Sequence, residues 1–235
     1  MRRHKIYLVS LGIMILLSVV FGVFTRFSFA NDVSVGNYLE NGDTYKVSFN
    51  DDPAYLGIYF NNSIATLSQL EDQSDVIVKV RLTNERLNHM RAILSKVNVL
   101  DVYKGNDVQK GDSIYIYEPS NFFASSYCVM GGYNIMHEDQ AYIVFLKHIK
   151  IPEGYRYKGN EAISFIPVST YYGKYPVKSA ESAIVIPKEK EVSYTQVKDL
   201  DVITQEEDVV NKYNTLKHEV LTNMLRKDNK RVGFF

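Results

Sequence analysis

Residues 141–146 read Ala-Tyr-Ile-Val-Phe-Leu, a nearly continuous apolar run. Successive side chains of a strand point to opposite faces, so a strand that is apolar at every position is covered on both sides. The run therefore predicts the central strand of a β-sheet, and the remaining elements can be assigned outward from it.

Three further segments have the period of two that is typical of strands. Val76–Leu82 places its apolar residues on one face. Met90–Tyr103 predicts a long, bent strand, because its apolar alternation changes register in the second half, as at a bulge. In Ser113–Glu118, Tyr115 and Tyr117 project from one face and isoleucines from the other. We expect these segments and the central strand to form one mainly antiparallel, strongly bent sheet.

Two helices and two additional strands complete the expected fold. Ser63–Gln73 predicts a short helix that begins with Ser63 as its N-cap. Ala162–Val168 and Ser182–Ile186 predict strands, and Thr204–Arg226 predicts a helix with one apolar stripe that packs on the sheet. The stripe consists of Val209, Tyr213, Leu216, Val220 and Met224.

The N-terminus has the composition of an export signal. Ile6–Phe24 contains nineteen residues without a charge, and Arg2, Arg3 and Lys5 precede it. As a helix it is about 28 Å long, close to the hydrocarbon thickness of a bilayer. The basic cluster predicts a cytoplasmic N-terminus and places the rest of the chain outside.

Two fates are open for this segment. Its apolar length exceeds the roughly 7 to 15 residues of a secretory signal, which favours a retained single-pass anchor. Ser28 and Ala30, however, stand at the small-residue positions that a signal peptidase reads, and cleavage after Ala30 would release a secreted protein. The expected divisions of the chain are a signal or anchor (1–30), a polar arm (31–62), a β-barrel domain (63–200) and a C-terminal helix with tail (201–235).

Composition excludes some classes of function. The first thirty residues hold four of the 27 basic residues and no acid, so residues 31–235 carry 23 basic and 27 acidic residues, a net charge of −4. An acidic exported domain is a poor match for nucleic acid, which requires a basic surface. Cys128 is the single cysteine, so no intramolecular disulfide forms.

The stretch Leu67–Ile149 resembles a group of bacterial exported proteins of unknown function. The motifs are Ser-Asp-Val-Ile-Val-Lys-Val (74–80), Val-Leu-Asp-Val-Tyr-Lys-Gly (99–105) with Gly-Asp-Ser-Ile-Tyr-Ile-Tyr-Glu-Pro (111–119), and Gly-Gly-Tyr (131–133) with Gln-Ala-Tyr-Ile-Val-Phe-Leu-Lys (140–147). These proteins look like an OB-fold-type barrel, similar to the netrin module and the tissue inhibitors of metalloproteinases.

The resemblance implies a mainly β fold. The expected architecture is an OB-like, five- or six-stranded antiparallel barrel with a short N-terminal helix, a C-terminal helix and the N-terminal transmembrane or signal helix. The animal inhibitors use an N-terminal cysteine and a disulfide network, which this chain lacks. The resemblance therefore implies no inhibitory residue here.

Tyrosines are the candidate ligand-binding residues. The chain holds 18 tyrosines and no tryptophan. An OB-type barrel binds oligosaccharide or oligonucleotide across one face and its flanking loops, and aromatic side chains serve there as stacking surfaces. We expect Tyr115, Tyr117, Tyr133 and Tyr172 to contact a ligand. The alternative is that these rings belong to the core and the barrel rim.

Catalytic groups are sparse in the sequence. Cys128 with His137 or His148 would provide a thiol nucleophile and a base if the fold brought them together. His137-Glu138-Asp139 would be part of a metal site only with further ligands, which no spacing indicates. No phosphate loop, serine-hydrolase elbow or zinc motif occurs, so we expect no catalytic residue, metal or other cofactor.

The sequence therefore predicts an extracytoplasmic, non-enzymatic binding domain in the cell envelope. Its expected partners are the membrane, through Ile6–Phe24, and an envelope protein or glycan. The alternatives are a cysteine- or metal-dependent envelope enzyme and a protease-inhibitor-like module.

Overall fold

The computed structural model describes residues 2–32, 34–178 and 182–232 of the chain. The helices are α1 (Arg2–Asp32), α2 (Val35–Glu40), α3 (Pro53–Tyr59), α4 (Leu67–Gln73), α5 (Tyr194–Val197) and α6 (Glu207–Val232). The strands are β1 (Lys46–Asn50), β2 (Val76–Asn88), β3 (Ile93–Lys104), β4 (Ser113–Glu118), β5 (Ser120–Phe123), β6 (Ser126–Met130), β7 (Ala141–His148), β8 (Ser164–Pro167), β9 (Lys174–Pro176), β10 (Ala183–Val185) and β11 (Val202–Thr204). Short 3₁₀ turns occupy Gly42–Thr44 and Gly159–Ile163.

The protein is a mixed α/β structure, so the prediction of a mainly β fold is wrong. The long helices α1, with 31 residues, and α6, with 26, are the predicted N-terminal apolar helix and C-terminal helix, and the short helices α2, α3 and α5 add helical structure that was not predicted. Within α1, Lys5–Arg26 has a mean hydropathy of 2.6 and none of it is buried, so this helix is apolar enough to span a membrane or to act as a signal.

Five strands close into a barrel. Around it the order is β2, β3, β4, β8, β7, and β7 pairs again with β2. The four strand segments predicted to share a sheet do so. Every barrel pair is antiparallel except β4–β8, which is parallel. The sheet is mainly antiparallel, as predicted, and its one parallel pair departs from the predicted antiparallel barrel because an odd number of strands cannot alternate in direction around a closed ring.

Strand β7 is the central strand, as its apolar run predicts. Tyr142, Val144 and Leu146 are buried in the barrel interior, whereas Ile143 and Phe145 are buried against helices on the other face. Besides β2 and β8, it also pairs with β9. Burial of both faces confirms why this segment has no polar alternation.

The two predicted helices lie on the outside of β7. All five residues of the α6 stripe are buried, and they pack with Leu67 and Leu70 of α4 in one core cluster. The short helix begins later than predicted, because Thr66 rather than Ser63 caps it. The Thr66 hydroxyl accepts a hydrogen bond from the Gln69 backbone N–H at 3.3 Å.

The segment predicted to be a polar arm, residues 31–62, carries regular structure in its described part. Strand β1 pairs in parallel with β6, and Val35 and Leu56 are buried. Val47 and Phe49 pack against the core from alternate positions of β1, while the intervening residues face solvent. A five-residue strand at an exposed edge has too few apolar residues to stand out from its polar flanks.

The connection between β4 and β7 also contains structure. β5 and β6 form a hairpin, and β1 adds to it to make a three-stranded sheet. Gly131 and Gly132 follow with φ of 53° and 74°. A Cβ at Gly131 would collide with the side chain of Thr170, so this sharp turn requires glycine for both conformation and space.

Candidate functional site

An aromatic and aliphatic cleft of ≈ 550 Å³ opens on the outside of the barrel. Its walls come from the barrel, from helix α3 and from the loop between β7 and β8, residues 149–163. Its volume is within the range of small-molecule binding sites. We call it the aromatic cleft, and its lining residues are Ile58, Tyr59, Tyr117, Lys147, Ile149, Lys150, Ile151, Pro152, Tyr155, Tyr157, Glu161 and Ile166.

Strand β4 contributes Tyr117 to the cleft. Leu87 of β2 lies opposite Leu94 of β3, and Leu94 lies opposite Tyr117. Opposed residues of antiparallel strands point to the same face, so these three form one row on the outside of the sheet. The Tyr117 ring is half-buried, 6.4 Å from the ring of His89 in the β2–β3 turn. Burial raises the pKa of Tyr117, and the charge of Glu161 adds to that effect.

Helix α3 forms a second wall. The Asp52 side chain caps the helix by accepting a hydrogen bond from the Ala54 backbone N–H at 3.0 Å, and a proline occupies the first turn. Leu56 points into the core with 5% exposure. Ile58 and Tyr59 point the other way, into the cleft, with 62% and 46% exposure. Helix α3 thus exposes large apolar side chains to solvent on one side, while Leu56 packs into the core on the other.

The loop 149–163 is braced by its own side chains. The Tyr155 hydroxyl donates to the Glu161 carboxylate at 2.7 Å, and that carboxylate also accepts from the Lys158 backbone N–H at 2.7 Å. The Tyr157 hydroxyl donates to the carbonyl of Ile149 at 2.9 Å. Because these polar groups are already paired within the loop, the two tyrosines present mainly their apolar rings to the cleft.

Two lysines stand at the edge of the cleft. Partial burial lowers the pKa of Lys147 and the neighbouring charge of Lys150 lowers it further, against a smaller raising effect of Asp75. Within the part of the chain that the structure describes, neither lysine takes part in an ion pair. The cleft therefore combines an apolar interior with two ammonium groups at its edge.

Of the four tyrosines predicted to bind a ligand, the structure places Tyr117 in the aromatic cleft. Tyr115 projects from the same face of β4, but its ring is covered and its hydroxyl donates to Glu85 at 2.8 Å. Tyr133 is buried in the interior. Tyr172 lies against a separate polar groove, and burial raises its pKa to about 12. The fold does not bring the four together.

The inward face of the same strands holds a buried ion pair. The Arg86 guanidinium donates to Glu118 at 2.8 Å and to the hydroxyl of Ser95 at 3.0 Å. The second Glu118 oxygen accepts from the Met136 backbone N–H at 2.6 Å and from the Tyr133 hydroxyl at 3.3 Å. With both side chains almost fully covered, every bond in this set joins parts of the protein to one another rather than to a ligand.

A second buried pair continues this network. The Lys174 ammonium lies 3.3 Å from Asp201 and donates to the carbonyl of Asn134 at 2.6 Å. It also sits over the rings of Tyr133 and Tyr142, at 4.7 and 5.1 Å from their centroids. Burial lowers the pKa of Lys174. The pair joins the segment before β11 to β9, which in turn pairs with barrel strand β7.

Cys128 is not assembled with a histidine. It is half-buried in a groove whose lining includes neither His137 nor His148, and burial raises the pKa of its thiol. His137 faces the carbonyl of Leu200 at 3.4 Å, and His148 lies between two aspartates. The nucleophile–base geometry that would favour a cysteine enzyme is thus not formed.

His148 is the described histidine that lies between two carboxylates. Its two ring nitrogens lie 3.1 Å from Asp75 and 2.7 Å from Asp107. Partial burial lowers the pKa of His148, but the hydrogen bonds and charges of the two aspartates outweigh it and raise the pKa. No group of three or more His, Cys, Asp or Glu side chains suited to a metal ion occurs in residues 5–26, 34–178 or the described side chains after 182.

Sequence reasoning missed the loop and the α3 wall of the cleft. A usable signal was present in the loop, where Ile149, Ile151, Tyr155 and Tyr157 are apolar residues at odd positions of a segment with polar and glycine residues between them. Apolar side chains repeated through a connection indicate that the loop covers, or offers, an apolar surface.

Comparisons of the chain with protein-family models, with curated proteins and with solved structures find no match. The assignment of a function therefore depends on the geometry of the barrel, the cleft and the N-terminal helix.

Proposed function

We propose that this protein is a membrane-anchored, extracytoplasmic domain of the OB type that binds its ligand in the aromatic cleft and is not an enzyme. The proposal depends mainly on the position of the cleft on the barrel. The membrane anchor is α1, and the ligand belongs to the cell envelope.

The connectivity of the barrel supports an OB-type assignment. β2, β3 and β4 follow one another, and the next barrel strand, β7, returns after a long connection to lie beside β2. This spatial order is that of a Greek key. β8 then fills the gap between β4 and β7, which gives the five-stranded Greek-key barrel characteristic of OB-folds.

The cleft lies where OB-type barrels bind ligands. Those barrels use the face of their second and third strands together with the loops that join strands one to two and four to five. The equivalent parts here are the outer face of β3 and β4, the turn that contains His89, and the loop 149–163. Tyr117 of β4 and that loop line the aromatic cleft, and His89 lies beside Tyr117, with 6.4 Å between the ring centroids.

A single tryptophan tests ligand binding in the cleft, because the natural chain has none. Ile151→Trp places it at the cleft, where residue 151 is 44% exposed, and Ile184→Trp is the matched control on β10 at 43% exposure. The measurement uses the full chain in detergent. We expect a soluble glycan, an apolar peptide or a lipid to shift the emission of Ile151→Trp and to leave the emission of Ile184→Trp unchanged. Unchanged emission with all three classes, or equal shifts in both variants, would contradict the proposal.

The proposed topology rests on the basic residues at the start of α1, which are Arg2, Arg3 and Lys5. Protease added to intact spheroplasts should degrade residues 34–235 if they face outside, and protection of that part would overturn the proposed orientation. N-terminal sequencing of the membrane fraction should find the original N-terminus. A mature chain that starts at Asn31 would instead show that Ser28 and Ala30 form a working cleavage site and that the protein is secreted.

A further inference from the structure

The outer row of the sheet is apolar at one end of the barrel. Leu87 is 39% exposed, and Leu94 and Tyr117 beside it are half-buried. Met90, at the tip of the adjoining turn, is 81% exposed. These side chains, and the 62% exposed Ile58 of α3 in the cleft, are exposed or partly exposed apolar groups on a domain that carries a net negative charge. An apolar surface of this kind marks a binding surface.

The membrane helix is attached beside this surface. Ser34 forms a β-bridge with Leu87, and α1 ends at Asp32, only two residues earlier. Two residues span at most about 7 Å. Three strand spacings of about 4.8 Å separate Ser34 from Tyr117 along the row, roughly 14 Å. The six helical residues that follow Arg26 add about 9 Å between the end of the apolar span and Asp32.

The tether therefore holds the cleft close to the bilayer. The outer end of α1 lies a few tens of ångströms or less from Tyr117, so encounter between the cleft and the adjacent leaflet is intramolecular. A short linker of this kind gives a high effective concentration, which makes even a weak contact populated.

The side chains of the cleft match the membrane–water interface. Tyrosine rings are favoured at the level of lipid headgroups, and lysine and arginine are favoured next to anionic lipids. The segment 147–163 contains four basic and two acidic residues, whereas residues 31–235 together carry a net charge of −4. Tyr155 and Tyr157 have their hydroxyls paired within the loop, which disfavours a ligand that needs polar partners, such as a glycan.

We propose that lipid of the leaflet at the outer end of α1 occupies the aromatic cleft, with apolar contacts to Ile58, Ile151 and the tyrosine rings and with Lys147 and Lys150 facing anionic headgroups. This inference rests on the proposed function, since it requires α1 to span the membrane. It assigns lipid as the ligand class of the cleft, and it requires the side of the domain that carries the cleft to face the bilayer.

The test uses the full chain in nanodiscs of phosphatidylglycerol or phosphatidylcholine, each with or without bromine on the acyl chains. Bromine quenches tryptophan only on close approach. The emission of Ile151→Trp should be blue-shifted and strongly quenched in brominated phosphatidylglycerol, and less so in brominated phosphatidylcholine. The control Ile184→Trp should lose little emission in either lipid.

A charge variant completes the test. In the Ile151→Trp background, Lys147→Gln with Lys150→Gln should reduce quenching in phosphatidylglycerol to the level seen in phosphatidylcholine. Equal quenching of Ile151→Trp in the two lipids would overturn the assignment of anionic lipid. No quenching beyond the control, in a chain that remains inserted in the nanodisc, would overturn lipid as the occupant. The proposed function would survive that result if a soluble glycan or peptide still shifted the emission, and it would fail separately if the chain did not insert.

Discussion

The inward and outward faces of the barrel differ most at the end where β2 turns into β3. Elsewhere in the barrel, apolar side chains point inward in the usual way. At this end Arg86, Ser95 and Glu118 point inward and are buried, while Leu87 and Tyr117 point outward and are partly exposed. Charges lie inside and apolar groups outside on the same three strands.

The two faces are stabilised by different interactions. On the inward face, the Glu118 carboxylate accepts hydrogen bonds from the Arg86 guanidinium, a serine hydroxyl and a backbone N–H. These bonds compensate its charge without water. The outward row remains partly exposed to solvent, with Leu87 at 39% and Leu94 and Tyr117 half-buried. The contrast indicates that the inner face fixes the geometry of this end, whereas the outer face is available to an apolar partner.

The largest loss of stability is expected in the part of the molecule where the strands are buried by apolar side chains. Ile143→Asp places an unpaired charge in the core of β7 and should destabilise the fold by about 4 kcal/mol or more. Asn98→Asp, at an exposed position of β3, is the matched control and should change the unfolding free energy by less than about 0.5 kcal/mol. Urea unfolding of the two variants measures the difference, and similar midpoints would mean that β7 is not the core strand.

A somewhat smaller effect is expected at the inverted end. Glu118→Ala leaves the Arg86 guanidinium buried without its partner and should cost about 3 to 5 kcal/mol. The double replacement Arg86→Met with Glu118→Leu removes both charges and should recover much of that loss. If the double variant were as unstable as the single one in urea unfolding, the network would be needed for more than charge compensation.

On the outer face, stability and binding should separate. Tyr117→Ser removes a half-buried ring and should cost only about 1 kcal/mol of stability, because much of the side chain is already in contact with water. The same change should abolish the lipid-dependent quenching of a tryptophan at position 151. Phe at position 117 serves as the control and should keep both properties, since its ring supplies the same apolar contact.

The smallest effect concerns His148. Its pKa is raised above the ordinary 6.5 by Asp107 and Asp75, so its contribution to stability is fully present below about pH 6.5 and is lost as the pH rises through the folded-state pKa. The groups are largely exposed, and the contribution should be less than about 1 kcal/mol. The stability difference between the natural chain and His148→Gln should therefore be greater at about pH 5.5 than at about pH 8.5. A difference that grows with rising pH would show that the sign is wrong.

Much of the barrel was predictable because its strands have simple patterns. Ser113–Glu118 has the predicted bounds, and Ala141–Leu146 is the central strand that its apolar run indicates. The stripe of α6 was equally plain. In each case the neighbours that bury these residues are apolar, so local periodicity alone carries the information.

The inverted end could not be predicted in the same way. The polar residues after Leu82 predict the end of a strand, yet β2 continues to Asn88 through a register shift between Leu82 and Arg86. Arg86 is tolerated inside because Glu118, distant in sequence, neutralises it. A burial that depends on a long-range partner leaves no periodic signal. The α3 wall of the cleft was missed for a related reason, because its exposed residues Ile58 and Tyr59 do not belong to a periodic apolar pattern in the sequence.

The bridge between Ser34 and Leu87 also has a mechanical consequence. Any tension on α1 reaches the domain first through this isolated bridge and the short helix α2, and only afterwards through β1, which pairs in parallel with β6. Hydrogen bonds that are loaded one at a time yield at lower force than a row loaded together. In a force-extension recording we expect a small first extension as α2 detaches, followed by a stronger resistance at β1, with the closed barrel yielding last.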